Sequence, residues 1–200
     1  MEAFKDIIKG IYPLSDRDIN TLLSFTHKEF YPKDSYVLQE GSTKQEIYFV
    51  AKGLICDTFS HKDKKKSNDY ILVFLREKEY ISSNLNFIDD TPSEYNLLCL
   101  QDTVLYVMDK KALLSLSTKN IEIAQFILRM VNQLFMDAIQ GIIRLKCYTP
   151  TERYKKLSFA PELFKNLSVS QTASFLGITI ASLSRIRRKE IEKERNKTKS

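Results

Sequence analysis

The chain contains no tryptophan and only two histidines, three cysteines, five glycines and five prolines in 200 residues. These scarcities exclude several kinds of chemistry. His27 and His61 are far apart and lack partner ligands at useful spacing, so a histidine–carboxylate metal centre is not expected. Cys56, Cys99 and Cys147 form no zinc or iron–sulfur spacing, and neither a metal nor a cofactor is expected. Two of these cysteines fall in strand-like apolar runs, where a buried free thiol in a reducing compartment is the ordinary state. Nucleophile elbow, phosphate-binding loop and zinc-protease motifs are all missing, so the chain does not read as an enzyme. No run approaches the roughly 20 apolar residues that cross a bilayer, and MEAFKDIIKGIYPLSDRD is unlike a secretory leader. A cytoplasmic protein without a membrane partner is the expectation.

What is abundant is core material and localised charge. Hydrophobic residues make up 43%, with 12 Phe and 10 Tyr, which is enough for a globular core. The net charge of +6 is uneven. From Arg144 onward there are 14 basic against 5 acidic residues, whereas the preceding part carries 17 basic against 20 acidic. A basic C-terminal module on a mildly acidic body suits a polyanion partner.

The most specific segment is SVSQTASFLGITIASLSRIRRK, residues 168–189. Ser168 and Gln171 have capping-box spacing. Ala173 and Leu176 share a face, and Gly177 stands where a helix ends in a left-handed residue. Ile178 would fill the angle between two helices, and Thr179 would cap the second. The apolar side of that second helix is expected to be Ile180, Leu183 and Ile186. Its other side carries Ser182, Ser184, Arg185, Arg188 and Lys189. Two short helices of this kind place the second one in the DNA major groove.

Upstream, residues 3–25 read as helical with a break near Gly10–Pro13 and an N-cap at Ser15. Short strands then alternate with turns from about residue 27 to residue 108, the pattern of a sandwich, jelly roll or small barrel. The basic run His61–Lys66 reads as a solvated hairpin tip. A short helix is expected at 110–116 and a long one at 120–146. In the long helix Ala124, Ile127, Val131, Leu134, Ala138, Gly141 and Leu145 form one apolar seam. Ile123, Phe126, Met130, Phe135, Ile139 and Ile142 form a second. One face would pack on the strands and the other on a twin helix, which implies a homodimer. Thr149-Pro150 stops the helix, Thr151 would cap the next, and a further short helix is expected at 162–166.

This order, with YPKDSYVLQEGSTKQEIYFVAKGLI, TPTERYKKL and ASFLGITIASLSRIRRK, resembles the Crp/Fnr family of bacterial transcription regulators. The resemblance implies an α+β chain in three parts. Residues 1–118 would form an antiparallel β-roll (a jelly-roll-like double-stranded β-helix) of the cyclic-nucleotide-binding type. Residues 119–147 would form a long dimerisation helix, using Ile127, Val131, Leu134, Ala138, Gly141 and Leu145. Residues 148–200 would form a helix-turn-helix domain. It also implies a homodimer on double-stranded DNA, with Ser168, Ser182, Arg185, Arg187, Arg188 and Lys189 as contacts, and RNA polymerase as a further partner.

Departures from the family pattern are equally informative. Where cyclic-AMP-binding members carry a Gly-Glu pair and a phosphate-binding arginine, this chain has Ile81-Ser82-Ser83-Asn84-Leu85 and Ser93-Glu94-Tyr95. Losing the arginine removes a bidentate phosphate partner, and Glu94 repels an anion. Tight cyclic AMP binding is therefore not expected. An unknown small-molecule effector could instead meet Tyr80, Ser82, Ser83, Asn84, Glu94 and Tyr95, and a sensor whose DNA contact is secondary is the competing reading. The winged hairpin usual after the recognition helix is not visible in EIEKERNKTKS.

Overall fold

The structure is a computed structural model that describes residues 2–63, 66–158 and 166–197. The centre of the expected basic hairpin tip and most of the expected 162–166 helix lie outside the described residues.

Two amphipathic helices open the chain, α1 (Glu2–Ile11) and α2 (Asp16–Leu23). Ser15 caps α2 by accepting from the Asp18 amide at 3.1 Å. Nine strands follow among the described residues: β1 (Thr26–Tyr31), β2 (Tyr36–Leu38), β3 (Glu46–Lys52), β4 (Ile55–Asp63), β5 (Lys66–Tyr70), β6 (Phe74–Leu75), β7 (Tyr80–Ser82), β8 (Asn96–Cys99) and β9 (Thr103–Asp109). All pair antiparallel in two sheets, one ordered β1-β9-β3-β7 and the other β2-β8-β4-β5, with β6 also on β4. Residues 71–73 separate β5 from β6. Asp57 on β4 draws that short connection inward.

Between the sheets lies an apolar interior that includes Val37, Tyr48, Val50, Ile55, Tyr95, Leu97, Leu105 and Val107. Gly53 turns β3 into β4 at φ +105°, and a Cβ there would stand 2.5 Å from Thr103 Oγ1, so only glycine fits.

Asp109 caps α3 (Lys110–Ser117) through the Ala112 amide, and Asn120 caps α4 (Ile121–Cys147). The first half of α4 buries Ile123, Phe126 and Met130 against α1, α2 and the β1-β9-β3-β7 sheet. Then come α5 (Pro150–Ser158), α6 (Val169–Phe175) and α7 (Ile180–Lys197). The cap of α5 is Thr149 rather than Thr151. Thr149 Oγ1 accepts from the Glu152 amide at 3.3 Å while Glu152 Oε2 accepts from the Thr149 amide at 2.7 Å. This places Pro150 at the first helical position, where its missing N–H costs nothing.

Candidate nucleic-acid interface

Helices α6 and α7 are built by local chemistry. The Ser168 hydroxyl accepts from the Gln171 amide at 3.1 Å, and the Gln171 side chain accepts from the Ser168 amide at 2.8 Å. Helix α6 ends at Gly177, φ +62°, where the Gly177 and Ile178 amides donate to the carbonyls of Ser174 and Ala173. Thr179 Oγ1 accepts from the Ser182 amide at 3.2 Å and starts α7. Ala173, Leu176, Leu183 and Ile186 are buried where the helices meet. Ile180 does not join them. It is exposed, because it precedes the first turn that faces α6.

The opposite side of α7 leaves Ala181, Ser184, Arg185, Arg188 and Lys189 exposed. Arg185 Nη2 reaches back to Ser182 Oγ at 3.3 Å, so these two expected contacts are brought together near the start of the helix. Ser168 is exposed at the start of α6, and Arg187 is half-buried. Glu190, on the same helix, is held by Lys155 at 3.4 Å and Lys193 at 3.1 Å. Its hydrogen bond to Lys193 holds its carboxyl below the usual range. Helix α7 continues to Lys197, so the described part of EIEKERNKTKS is helical.

One residue that sequence reasoning missed organises this unit. Arg153 on α5 is buried, with Nε donating to the Leu176 carbonyl at 2.9 Å and Nη1 to the carbonyls of Leu145 and Tyr148 at 3.1 and 2.8 Å. It ties the end of α4 to the end of α6. The only signal for it was its place in TPTERYKKL.

Of the six residues expected to line an effector pocket, Tyr80 stands apart, whereas Tyr95 reaches Ser82 and Glu94 reaches the Leu85 amide beside Asn84. Tyr80 belongs to the core under α4, and its hydroxyl donates to the Met130 carbonyl at 3.2 Å. Tyr95 fills the interior between the sheets, beside Phe59, with its hydroxyl on the Ser82 carbonyl. Ser83 Oγ donates to the Lys44 carbonyl at 2.6 Å. Asn84 donates to the Thr91 carbonyl at 2.7 Å and accepts from the fully buried Lys110 ammonium at 2.9 Å. Burial pushes the Lys110 pKa down. Glu94 Oε2 accepts from the Leu85 amide at 3.2 Å. Ser82 Oγ is buried without a hydrogen-bond partner among the described residues.

A family model described as the cyclic nucleotide-binding domain matches residues 28–120. This stretch is similar to that family and covers a little under half of the chain. Comparison with curated proteins finds no match. Among solved structures, a putative Crp/Fnr-family transcriptional regulator from Eubacterium rectale is similar with TM-score 0.73 and 12% identity, over 92% of this chain and 88% of that one. The c-di-GMP-responsive global regulator CLP of Xanthomonas campestris is similar with TM-score 0.69 and 17% identity, over 90% and 93%. The catabolite activator protein of Thermus thermophilus is similar with TM-score 0.56 and 17% identity, over 94% and 88%. The whole chain therefore has the Crp/Fnr fold, an antiparallel β-roll with helices before and after it.

Within that cyclic-nucleotide-binding-type roll, several polar side chains already have internal partners. Ser93, where the arginine was sought, donates to the Tyr95 carbonyl at 2.8 Å. The Glu94 carboxylate takes a loop amide that an anion would want, and Lys110 is engaged by Asn84 and the Asn86 carbonyl.

The long helix differs from expectation by one step. Ile127 and Leu134 are half-buried and pack on the roll core, and Gly141 is half-buried too. The outward stripe is Leu128, Val131, Phe135, Ala138, Ile142 and Leu145, all exposed. The reason is that Phe126 and Met130 turn their side of the helix, and Ile127 and Leu134 with it, toward the strands. An 18-residue window of α4 has mean hydropathy 1.2, so by length and composition alone this helix could cross a membrane, contrary to the expectation that no segment could.

Proposed function

We propose that this chain is a sequence-specific DNA-binding transcriptional regulator of the Crp/Fnr type that acts as a homodimer. The observation that carries this reading is the α6–α7 unit. Its capping box, left-handed Gly177 and buried Ala173–Leu183 packing fix two helices, while Arg185, Arg188 and Lys189 stay exposed on the second. An exposed basic helix held at its N-terminal end by a tight turn is what major-groove docking requires. Arg185 with Ser182 reads base edges, and Arg188, Lys189 and Ser168 meet phosphates, with Arg187 beside them.

The outward stripe of α4 supports the dimer, because its members alternate four and three residues apart and two copies can bury it. The roles divide as roll (1–118), dimer helix (119–147) and DNA module (148–200). The effector is an unidentified small molecule other than cyclic AMP, and RNA polymerase is a further partner in the same reading. The membrane reading of α4 is disfavoured because Ile123, Phe126 and Met130 are already buried on the roll.

Selection of duplexes from a random pool with the purified chain, repeated at several salt concentrations, tests this. A two-fold symmetric site with half-sites one helical turn apart is expected. Indifference to every duplex at low salt overturns it.

A further inference from the structure

The DNA module is not suspended from α4 alone. It is docked on its own β-roll. Leu54, Cys56, Ile71, Phe74 and Leu100 of the roll share one buried cluster with Leu157, Ala173, Leu176 and Leu183. The rings of Phe74 and Phe175 lie 4.5 Å apart, and the Arg144 guanidinium lies 5.2 Å from the Phe175 centroid. The Ile71 amide donates to Ser174 Oγ at 3.1 Å, joining the roll directly to α6.

Part of the roll side of this dock is segment 71–74, the connection from β5 into the start of β6, and one buried carboxylate shapes it. Asp57 Oδ1 accepts from the amides of Leu72 at 2.9 Å and Val73 at 2.8 Å, and the Asp57 amide donates to the Val73 carbonyl at 3.3 Å. Leu72 and Val73 are themselves exposed, so apolar burial does not hold them in place. Pairing to β4 holds Tyr70 on one side and Phe74 on the other, and Asp57 is the side chain that fixes the two residues between Ile71 and Phe74.

We propose that Asp57 is a positioning residue for operator recognition: through segment 71–74 it fixes the angle of the reading helix relative to the roll, and thereby the half-site spacing that a dimer accepts. This rests on the DNA-binding reading above. A module that swung freely on α4 would tolerate several spacings, because only the linker would limit where the second helix lands. A module docked on a rigid roll accepts one. The base-contacting face of α7 is untouched by the dock, so affinity for a single half-site should not depend on it.

The test uses the full chain, its selected operator, the same operator lengthened or shortened by two base pairs at its centre, and an isolated half-site. The unsubstituted protein is expected to prefer the natural spacing by about tenfold or more. Asp57→Ala should reduce that preference to about threefold or less while half-site affinity stays the same. Asp57→Asn keeps the accepting Oδ1 and should restore the preference. Ser174→Ala removes the direct hydrogen bond, leaves α6 free to form, and should relax the preference even if Asp57→Ala fails to fold. Folded variants that keep the full spacing preference overturn the proposal. Loss of half-site affinity in parallel with spacing preference also overturns it, since that marks general damage to the module. If the unsubstituted chain binds no duplex, the DNA-binding reading itself fails and the proposal falls with it.

Discussion

Arg153 on α5 and Leu176 at the end of α6 are joined by a buried hydrogen bond of 2.9 Å from Nε to the main-chain carbonyl. The same guanidinium satisfies the carbonyls of Leu145 and Tyr148. Three helix-end acceptors therefore depend on one side chain. Arg153→Met should leave them unsatisfied and lower stability by at least about 2 kcal/mol, read from chemical denaturation midpoints. A loss under about 0.5 kcal/mol would show that water replaces the guanidinium at little cost.

Arg185→Ala should cost about 1–3 kcal/mol in binding to the selected operator and relax preference at one base pair in each half-site. Repeating the selection with the variant checks this. An unchanged preference assigns Arg185 to a phosphate or to solvent.

Arg188→Ala and Lys189→Ala should behave differently from Arg185→Ala. Each should weaken all duplexes alike and reduce the slope of log affinity against log salt by about 0.9 for every phosphate no longer neutralised, or twice that when both protomers are counted. Titrations at several salt concentrations decide it, and an unaltered slope would remove these residues from the interface.

Leu128→Glu with Phe135→Glu places two like charges on the outward stripe of α4 without touching the buried Ile123, Phe126 and Met130. The double variant should sediment as a monomer, retain its far-ultraviolet spectrum and lose most affinity for the full operator. Persistence of the dimer would move the interface elsewhere.

Burial pushes the Asp57 carboxyl up to about 6 from its ordinary 3.8, against the opposing effect of the Val73 and Leu72 amides. Its neighbours Cys56 and Tyr95 are pushed up as well, so neither adds a second negative charge beside it near neutral pH. The folded state thus holds this proton more tightly than the unfolded state. The stabilisation is complete below pH 3.8 and is lost as pH rises through about 6. Relative to Asp57→Asn, the unsubstituted protein should gain up to about 3 kcal/mol on acidification from pH 7 to 4. Urea midpoints across that range provide the measurement, and the opposite trend would show that the amides outweigh burial.

Local chemistry was legible in the sequence. Ser15, Ser168 with Gln171, Gly177 and Thr179 work as their types and spacings implied, because a cap or a left-handed turn is decided by adjacent residues. The helices and most strands follow from period and punctuation for the same reason. What depended on distant partners was not legible. Which stripe of α4 faces outward was fixed by the roll, and it moved Ile127 and Leu134 inward. The Asp57 latch joins positions 15 and 16 residues apart through main-chain amides, which leave no mark in residue type. Arg153 was passed over for the same reason, since its partners are carbonyls. The polar set from Tyr80 to Tyr95 read as one site because its members are close in sequence. Alternation along β7 sends Tyr80 into the core under α4 and Ile81 to the opposite side, where Tyr95 packs.

The exposed α4 stripe repeats every seven residues, from Leu128 to Phe135 to Ile142 and from Val131 to Ala138 to Leu145. A straight helix drifts by about 20° per such repeat, so two copies can stay in register along it only by coiling left-handed about each other. The handedness of the proposed dimer is therefore already written into the arithmetic of one surface.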